Sequence, residues 1–203
     1  MKIICIGKNY VEHIKEFDGV TPKEPVFFMK PETALIKNNQ PFYLPDFSNN
    51  LHHEIEIVLK INKPGKNIAE EFAHKYYDEI GIGIDFTARD LQLQLKEKGL
   101  PWEKAKAFDG SAPIGKFISK KEFGDIQNLN FHLNINDKTM QKGNTKDMIF
   151  SFDKMISYVS AFITLKKGDL IFTGTPHGVG PVKAGDKLEA FIENKKLLEF
   201  AVK

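Results

Sequence analysis

The stretch Leu51-His52-His53-Glu54-Ile55-Glu56-Ile57-Val58-Leu59 constrains this chain most, because it commits two carboxylates to one β-strand. From Glu54 onward polar residues alternate with β-branched ones at period two, the pattern of a strand. That period sets Glu54 and Glu56 on one face and Ile55 and Ile57 on the other. Two carboxylates on one strand face repel each other unless water bathes them or something positive sits between them. The stretch alone leaves two readings open. One is a solvated edge face. The other is half of a site for a hard cation such as Mg2+, Mn2+ or Ca2+, which takes oxygen ligands.

The rest of the chain narrows what such a strand can serve. A length of 203 residues suits one domain with a sizeable core and is short for two. Net charge is +2, with no long run of one sign, which argues against a nucleic-acid or membrane surface. No apolar stretch approaches a transmembrane length. The lone cysteine, Cys5, rules out an internal disulfide framework, and within Ile3-Ile4-Cys5-Ile6 it reads as a small buried hydrophobe. That run is too short for a signal-peptide core, so a cytoplasmic location is expected. Arg89 is the only arginine among many lysines. It marks either a place that needs a planar fork or an ordinary structural ion pair.

Along the chain, residues 2–6 form a buried-type strand. Asn9 is placed to cap a helix over 11–17, on which His13 and Glu16 share a face. The two could form a carboxylate-held general base or an exposed helix pair. Asp18-Gly19-Val20-Thr21-Pro22 then breaks the helix, which makes about 9–22 a mobile lid. Residues 25–31 read as a strand with Lys30 at its end, and 32–50 as mostly loop. A helix over 68–78 would gather Ile68, Phe72 and Tyr76 on one face. A strand over 80–84 alternates glycine with isoleucine, a sign of close backbone approach, and ends at Asp85. Thr87 is read as the cap of the next helix, with Asp90 completing a capping box. Arg89 and Gln92 share a face of that helix near Asp85, and Lys104 and Lys106 follow.

The second half of the chain is mostly β. Asn136-Asp137 reads as a hairpin turn after a strand from Asn130, and Ser151 as the cap of an amphipathic helix. Two similar turn-plus-strand units occupy 167–173 and 184–191. Between them the Gly/Pro-dense segment 174–181 can bring backbone N–H groups to an anion, or be a plain tight loop. Its Gly174-Thr175-Pro176 is not a nucleotide loop, because no P-loop Lys-Ser/Thr follows.

Five motifs together carry a resemblance. Gly7-Lys8-Asn9-Tyr10 with His13, the 51–56 strand, and Gly83-Ile84-Asp85-Phe86-Thr87-Ala88-Arg89-Asp90 come first in the chain. Gly99-Leu100-Pro101-Trp102 with Lys106, and Phe172-Thr173-Gly174-Thr175-Pro176 with Gly178-Val179-Gly180, follow in order. They resemble the fumarylacetoacetate hydrolase superfamily over essentially the whole chain. The likeness is strongest to its short acylpyruvase and oxaloacetate decarboxylase branch, without the SH3-like domain of longer members. The resemblance implies an α+β fold, a mixed β-rich roll with short flanking helices and an N-terminal lid, forming one catalytic domain over 1–203. It implies a homodimer and a divalent cation, Mg2+ or Mn2+, held by Glu54, Glu56 and Asp85. It also implies that Lys106 stabilises an enolate, that His13 with Glu16 activates water, and that Arg89, Gln92, Thr175 and Lys30 meet a 2-oxo acid. The activity it points to is hydrolysis of the C–C bond of acylpyruvates, with oxaloacetate decarboxylated through the same enolate. Two alternatives remain: a keto–enol tautomerase or isomerase of the same fold, and a non-catalytic metal-dependent 2-oxo acid-binding protein.

Overall fold

The strand Ile55–Ile61 lies in the middle of the fold, so the edge-face reading does not hold. A computed structural model describes residues 1–16 and 20–203; Phe17 at the expected helix end and the helix break at Asp18 and Gly19 fall outside them. The fold is α+β and sheet-rich. Its main sheet runs in the order Val26–Lys30, Ile3–Gly7, Leu170–Phe172, Ile55–Ile61, Tyr77–Ile84, Ile118–Ser119. Only the pairing of Ile3–Gly7 with Leu170–Phe172 is parallel in that sheet. A second, antiparallel sheet orders Lys138–Asn144, Asn130–Ile135, Lys187–Ile192 and Lys195–Ala201.

Both faces of Ile55–Ile61 are covered, and Ile55, Ile57, Val58 and Leu59 are fully buried. Cys5 is likewise buried, as a core hydrophobe. Gly83, opposite Glu56, meets the close approach expected of the Gly/Ile run: a Cβ there would lie 2.7 Å from the Phe172 ring. Among the described residues no helix is long and apolar enough to cross a membrane.

Three local expectations need correction. The helix over 68–78 shrinks to Glu70–Ala73, and the strand Tyr77–Ile84 begins where its last turn was placed. Tyr77 pairs with Ile61 across the sheet, and Phe72 is half exposed, so the helical period found no core to face. Thr87 does not cap the helix Arg89–Glu97. It pairs with His52 in a short ladder, and Asp90 instead accepts from Ser48 Oγ at 2.7 Å and from Asn49 N at 3.0 Å. Asn9 does not cap the helix Val11–Glu16 either. Its amide is buried, donating to the Thr173 carbonyl at 2.8 Å and accepting from Phe150 N at 2.8 Å. Short polar side chains serve a distant backbone as readily as a neighbouring helix end.

Other expectations hold. Asn136 and Asp137 take φ of 49° and 66°, the left-handed pair of a two-residue hairpin. Ser151 Oγ accepts from Lys154 N at the start of Phe152–Phe162. The two turn-plus-strand units share one device, Asp169 accepting from Lys166 N and Asp186 from Lys183 N.

Candidate active site

The sheet itself assembles the three carboxylates. Glu54 falls in the break between Leu51–His53 and Ile55–Ile61, and its carbonyl accepts from Asp85 N at 2.8 Å. That bond sets Asp85, at the end of Tyr77–Ile84, beside the Glu54-Ile55-Glu56 turn of strand. Glu54, Glu56 and Asp85 are all buried, and each offers an oxygen within 4.8 Å of the others.

Three cations meet this cluster. Lys106 Nζ bridges Glu54 Oε2 and Asp85 Oδ2, at 2.8 Å from each. Arg89 Nη2 reaches Glu54 Oε1 at 2.5 Å, and its Nη1 donates to Gln92 Oε1 at 2.6 Å. The sole arginine therefore uses its planar fork on two partners at once, one nitrogen on each. Lys30 Nζ lies 2.7 Å from Asp85 Oδ1. It also donates to the carbonyls of Phe86, Lys106 and Ser111 and to Ser111 Oγ.

Glu56 is different. Its described partner is one backbone donor, Gly174 N, at 2.7 Å from Oε2. Gly174 has φ of +97°, and a Cβ there would lie 2.7 Å from the Asn9 Cβ, so only glycine brings this N–H so close. The pKa shifts follow the pairing. Burial raises the Glu56 carboxyl well above the ordinary range, and Asp85 and Glu54 push it further. Burial also acts on Glu54, but Lys106 and Arg89 outweigh it and hold that carboxyl well below the ordinary range. For Lys106 burial works against the charge, and Asp85 and Glu54 reverse it, so the ammonium stays charged.

The cluster opens into a cavity of about 340 Å3. Arg89, Gln92, Lys106, Thr175 and His13 reach its wall, with Phe28 and Trp102 as apolar sides. Lys30 does not; it is fully buried behind Asp85. On the helix Val11–Glu16, His13 Nδ1 is 3.0 Å from Glu16 Oε2, and Glu16 Oε1 accepts from Gly178 N at 2.6 Å. The segment 174–181 thus does bring N–H groups to anions, and the anions are the protein's own carboxylates. A proton on Nδ1 leaves Nε2 as the basic nitrogen of His13.

All ten expected residues fall at or beside one site: eight line the cavity, Lys30 holds Asp85 from behind it, and Glu16 holds His13. Sequence reading missed three others. Lys8 and Lys96 also line the cavity. Partial burial, then Arg89, Lys8 and Lys106, hold the Lys96 ammonium below its ordinary value, a mark of crowded positive charge. Gln141 is buried against Thr175. Its signal was legible: on Lys138–Asn144 the apolar Met140 faces out and the polar Gln141 faces in, an inverted alternation.

The family described as fumarylacetoacetate (FAA) hydrolase C-terminal matches residues 2–203. The chain is 44% identical over 197 residues to the oxaloacetate tautomerase YcgM of Escherichia coli, covering 97% of this chain and 90% of that one. It is 42% identical over 200 residues to the human mitochondrial oxaloacetate tautomerase FAHD1, covering 98% and 90%. Among solved structures it is similar to a fumarylacetoacetate hydrolase family protein from Yersinia pestis, with TM-score 0.95, 46% identity, and 100% and 93% of the two chains covered. It is also similar to the fumarylpyruvate hydrolase of Pseudomonas aeruginosa in complex with Mn2+ and pyruvate, with TM-score 0.94, 35% identity, and 100% and 89% covered.

Proposed function

The chain belongs to the fumarylacetoacetate hydrolase family, and from that premise we propose that it is a divalent-metal-dependent enzyme of dianionic 2-oxo acids that interconverts the keto and enol forms of oxaloacetate. The observation that carries this reading is the buried cluster of Glu54, Glu56 and Asp85 facing a cation-lined cavity. An all-oxygen donor set suits Mg2+ or Mn2+. Glu56, a buried carboxylate beside two others with a single backbone donor, is the member that most needs a further cation. These three residues would hold the ion, which when bound acts as a Lewis acid toward a 2-oxo group and its carboxylate.

The protein residues do the rest. Lys106, Arg89 and Lys30 already balance the three carboxylates one for one. Any added dication therefore leaves an excess of two positive charges, and Lys8 and Lys96 add more at the wall. Such a cavity favours a substrate with two carboxylates over one with a single carboxylate. Gln92 Oε1 is taken by Arg89, so the Gln92 amide presents donors to the substrate. Lys106 Nζ, held charged, offsets the negative charge that develops on the 2-oxo oxygen as a proton leaves C3. His13, oriented by Glu16, takes that proton from C3 and delivers it to the 2-oxo oxygen, and the reverse transfer restores the keto form. Lys30 acts at one remove, by holding Asp85.

A second reading is hydrolysis of acylpyruvates, with oxaloacetate decarboxylation beside it. It is favoured by the anchored His13–Glu16 pair, which can equally take a proton from water attacking the distal carbonyl. The two readings separate in one set of assays: decay of enol-oxaloacetate absorbance, cleavage of acetylpyruvate and release of CO2, each with Mg2+, with Mn2+ and with chelator. A metal-dependent enol decay that outruns the other two supports the first reading. Rates that ignore the chelator throughout would sink both. His13→Ala should slow the main reaction by about 10²-fold or more. A variant at full rate removes His13 from the mechanism.

A further inference from the structure

The hydrogen bonds of Gln141 leave the Thr175 hydroxyl one direction to point. Gln141 is 1% exposed, the single buried side chain of 138–142. Its Oε1 lies 3.0 Å from Ile55 N and 2.9 Å from His53 Nδ1. A backbone N–H can only donate, so that end of the amide is the oxygen. The other end, Nε2, lies 3.0 Å from the Pro176 carbonyl, which can only accept, and 2.9 Å from Thr175 Oγ1. Both Nε2 protons are thereby assigned, and one goes to Thr175 Oγ1. The hydroxyl proton of Thr175 cannot point back at Gln141. Thr175 is 3% exposed and lines the cavity, and its β-branched side chain has few rotamers to choose from. Among the described residues no protein acceptor takes this proton.

We propose that Gln141 is a positioning residue that locks the Thr175 hydroxyl as a hydrogen-bond donor into the cavity. The ligand atom met there is a hydrogen-bond acceptor, such as a carboxylate oxygen. Because Oε1 also accepts from Ile55 N, between Glu54 and Glu56, the same amide ties the 174–181 loop to the strand that carries two of the carboxylates.

Two measurements test this. Neutron diffraction from crystals of the unaltered protein in D2O should place the Thr175 deuteron away from Gln141 Nε2 and toward the cavity. A deuteron between the two side chains overturns the proposal. The second measurement is calorimetric binding of oxalate to the Mg2+-loaded protein, and only this probe rests on the 2-oxo acid reading. Gln141→Glu replaces the amide donor by an acceptor and should turn the hydroxyl toward it. Gln141→Glu and Thr175→Val should each weaken oxalate by about 10-fold, the order of one hydrogen bond to a charged group. The double variant should be no weaker than either single, because Gln141 acts through Thr175. Thr175→Ser, which keeps the hydroxyl, should stay within about threefold of the parent. Losses that multiply to about 100-fold in the double variant would show a merely structural role and overturn it. A parent protein that ignores oxalate counts against the 2-oxo acid reading alone, and a Gln141→Glu chain that does not fold removes only this second arm. In both cases the deuteron decides.

Discussion

Replacing Asp85 by alanine is expected to destabilise the protein by about 3–5 kcal/mol, the scale for breaking a buried ion pair by removing one partner. Asp85 meets Lys30 and Lys106 at 2.7 and 2.8 Å, and the Lys30 side chain is fully buried. Without Asp85 the Lys30 ammonium keeps only neutral oxygens around it. Chemical denaturation of Asp85→Ala against the parent reads the loss. The same substitution removes one of the three candidate metal oxygens, so Mg2+ should no longer raise the melting temperature and turnover should vanish. Adding Lys30→Met removes the stranded charge as well. That double variant should regain much of the stability and none of the activity. A double variant as unstable as Asp85→Ala alone would show that Lys30 is not what Asp85 stabilises.

Lys106→Met should cost about 10²–10³-fold in kcat, the effect of removing one preorganised donor from a developing oxyanion. The methionine keeps the length of the side chain and its contact with Phe28, where Lys106 Nζ lies 5.3 Å from the ring centroid. The carboxylate cluster is left more negative, so Mg2+ should bind at least as tightly as in the parent. Calorimetry for the ion and steady-state kinetics for turnover separate the two effects. Loss of turnover together with loss of Mg2+ binding would mean that Lys106 builds the site and does not stabilise charge in the reaction.

The strand with Glu54 and Glu56, the corner at Asp85 and the helix bearing Arg89 and Gln92 were legible because each rests on short-range rules: period two, a strand end, a spacing of three. Their convergence was legible only through the family resemblance. No spacing says that Asp85 N bonds the Glu54 carbonyl. The failures were also short-range in origin. Residues 68–78 have a helical period, but Tyr77 is claimed by Ile61, which pairing across the sheet alone decides. Thr87 and Asn9 have the chemistry of caps and spend it on distant backbone. The pairing of Lys30 with Asp85 has no sequence signal at all, since a lysine at a strand end is usually solvated. Gln141 had one, in the inverted alternation with Met140, and it went unread because a lone polar residue on a strand is ordinarily assigned to the surface.

The place of Leu170–Phe172 in the main sheet has a consequence for how the chain comes to be folded. This strand sits between Ile3–Gly7 and Ile55–Ile61 and supplies the partner of both. During synthesis the first two strands can close as one ribbon and Ile55–Ile61 with Tyr77–Ile84 as another, each from neighbours in the chain. Their facing edges stay bare until the ribosome has made the strand that joins them, and bare edges invite pairing with other chains. The wedge that completes the sheet leads directly into Gly174 and Thr175. The last strand to enter the main sheet therefore delivers the backbone donor for Glu56, and a nascent chain stalled before it has neither a closed sheet nor a finished active site.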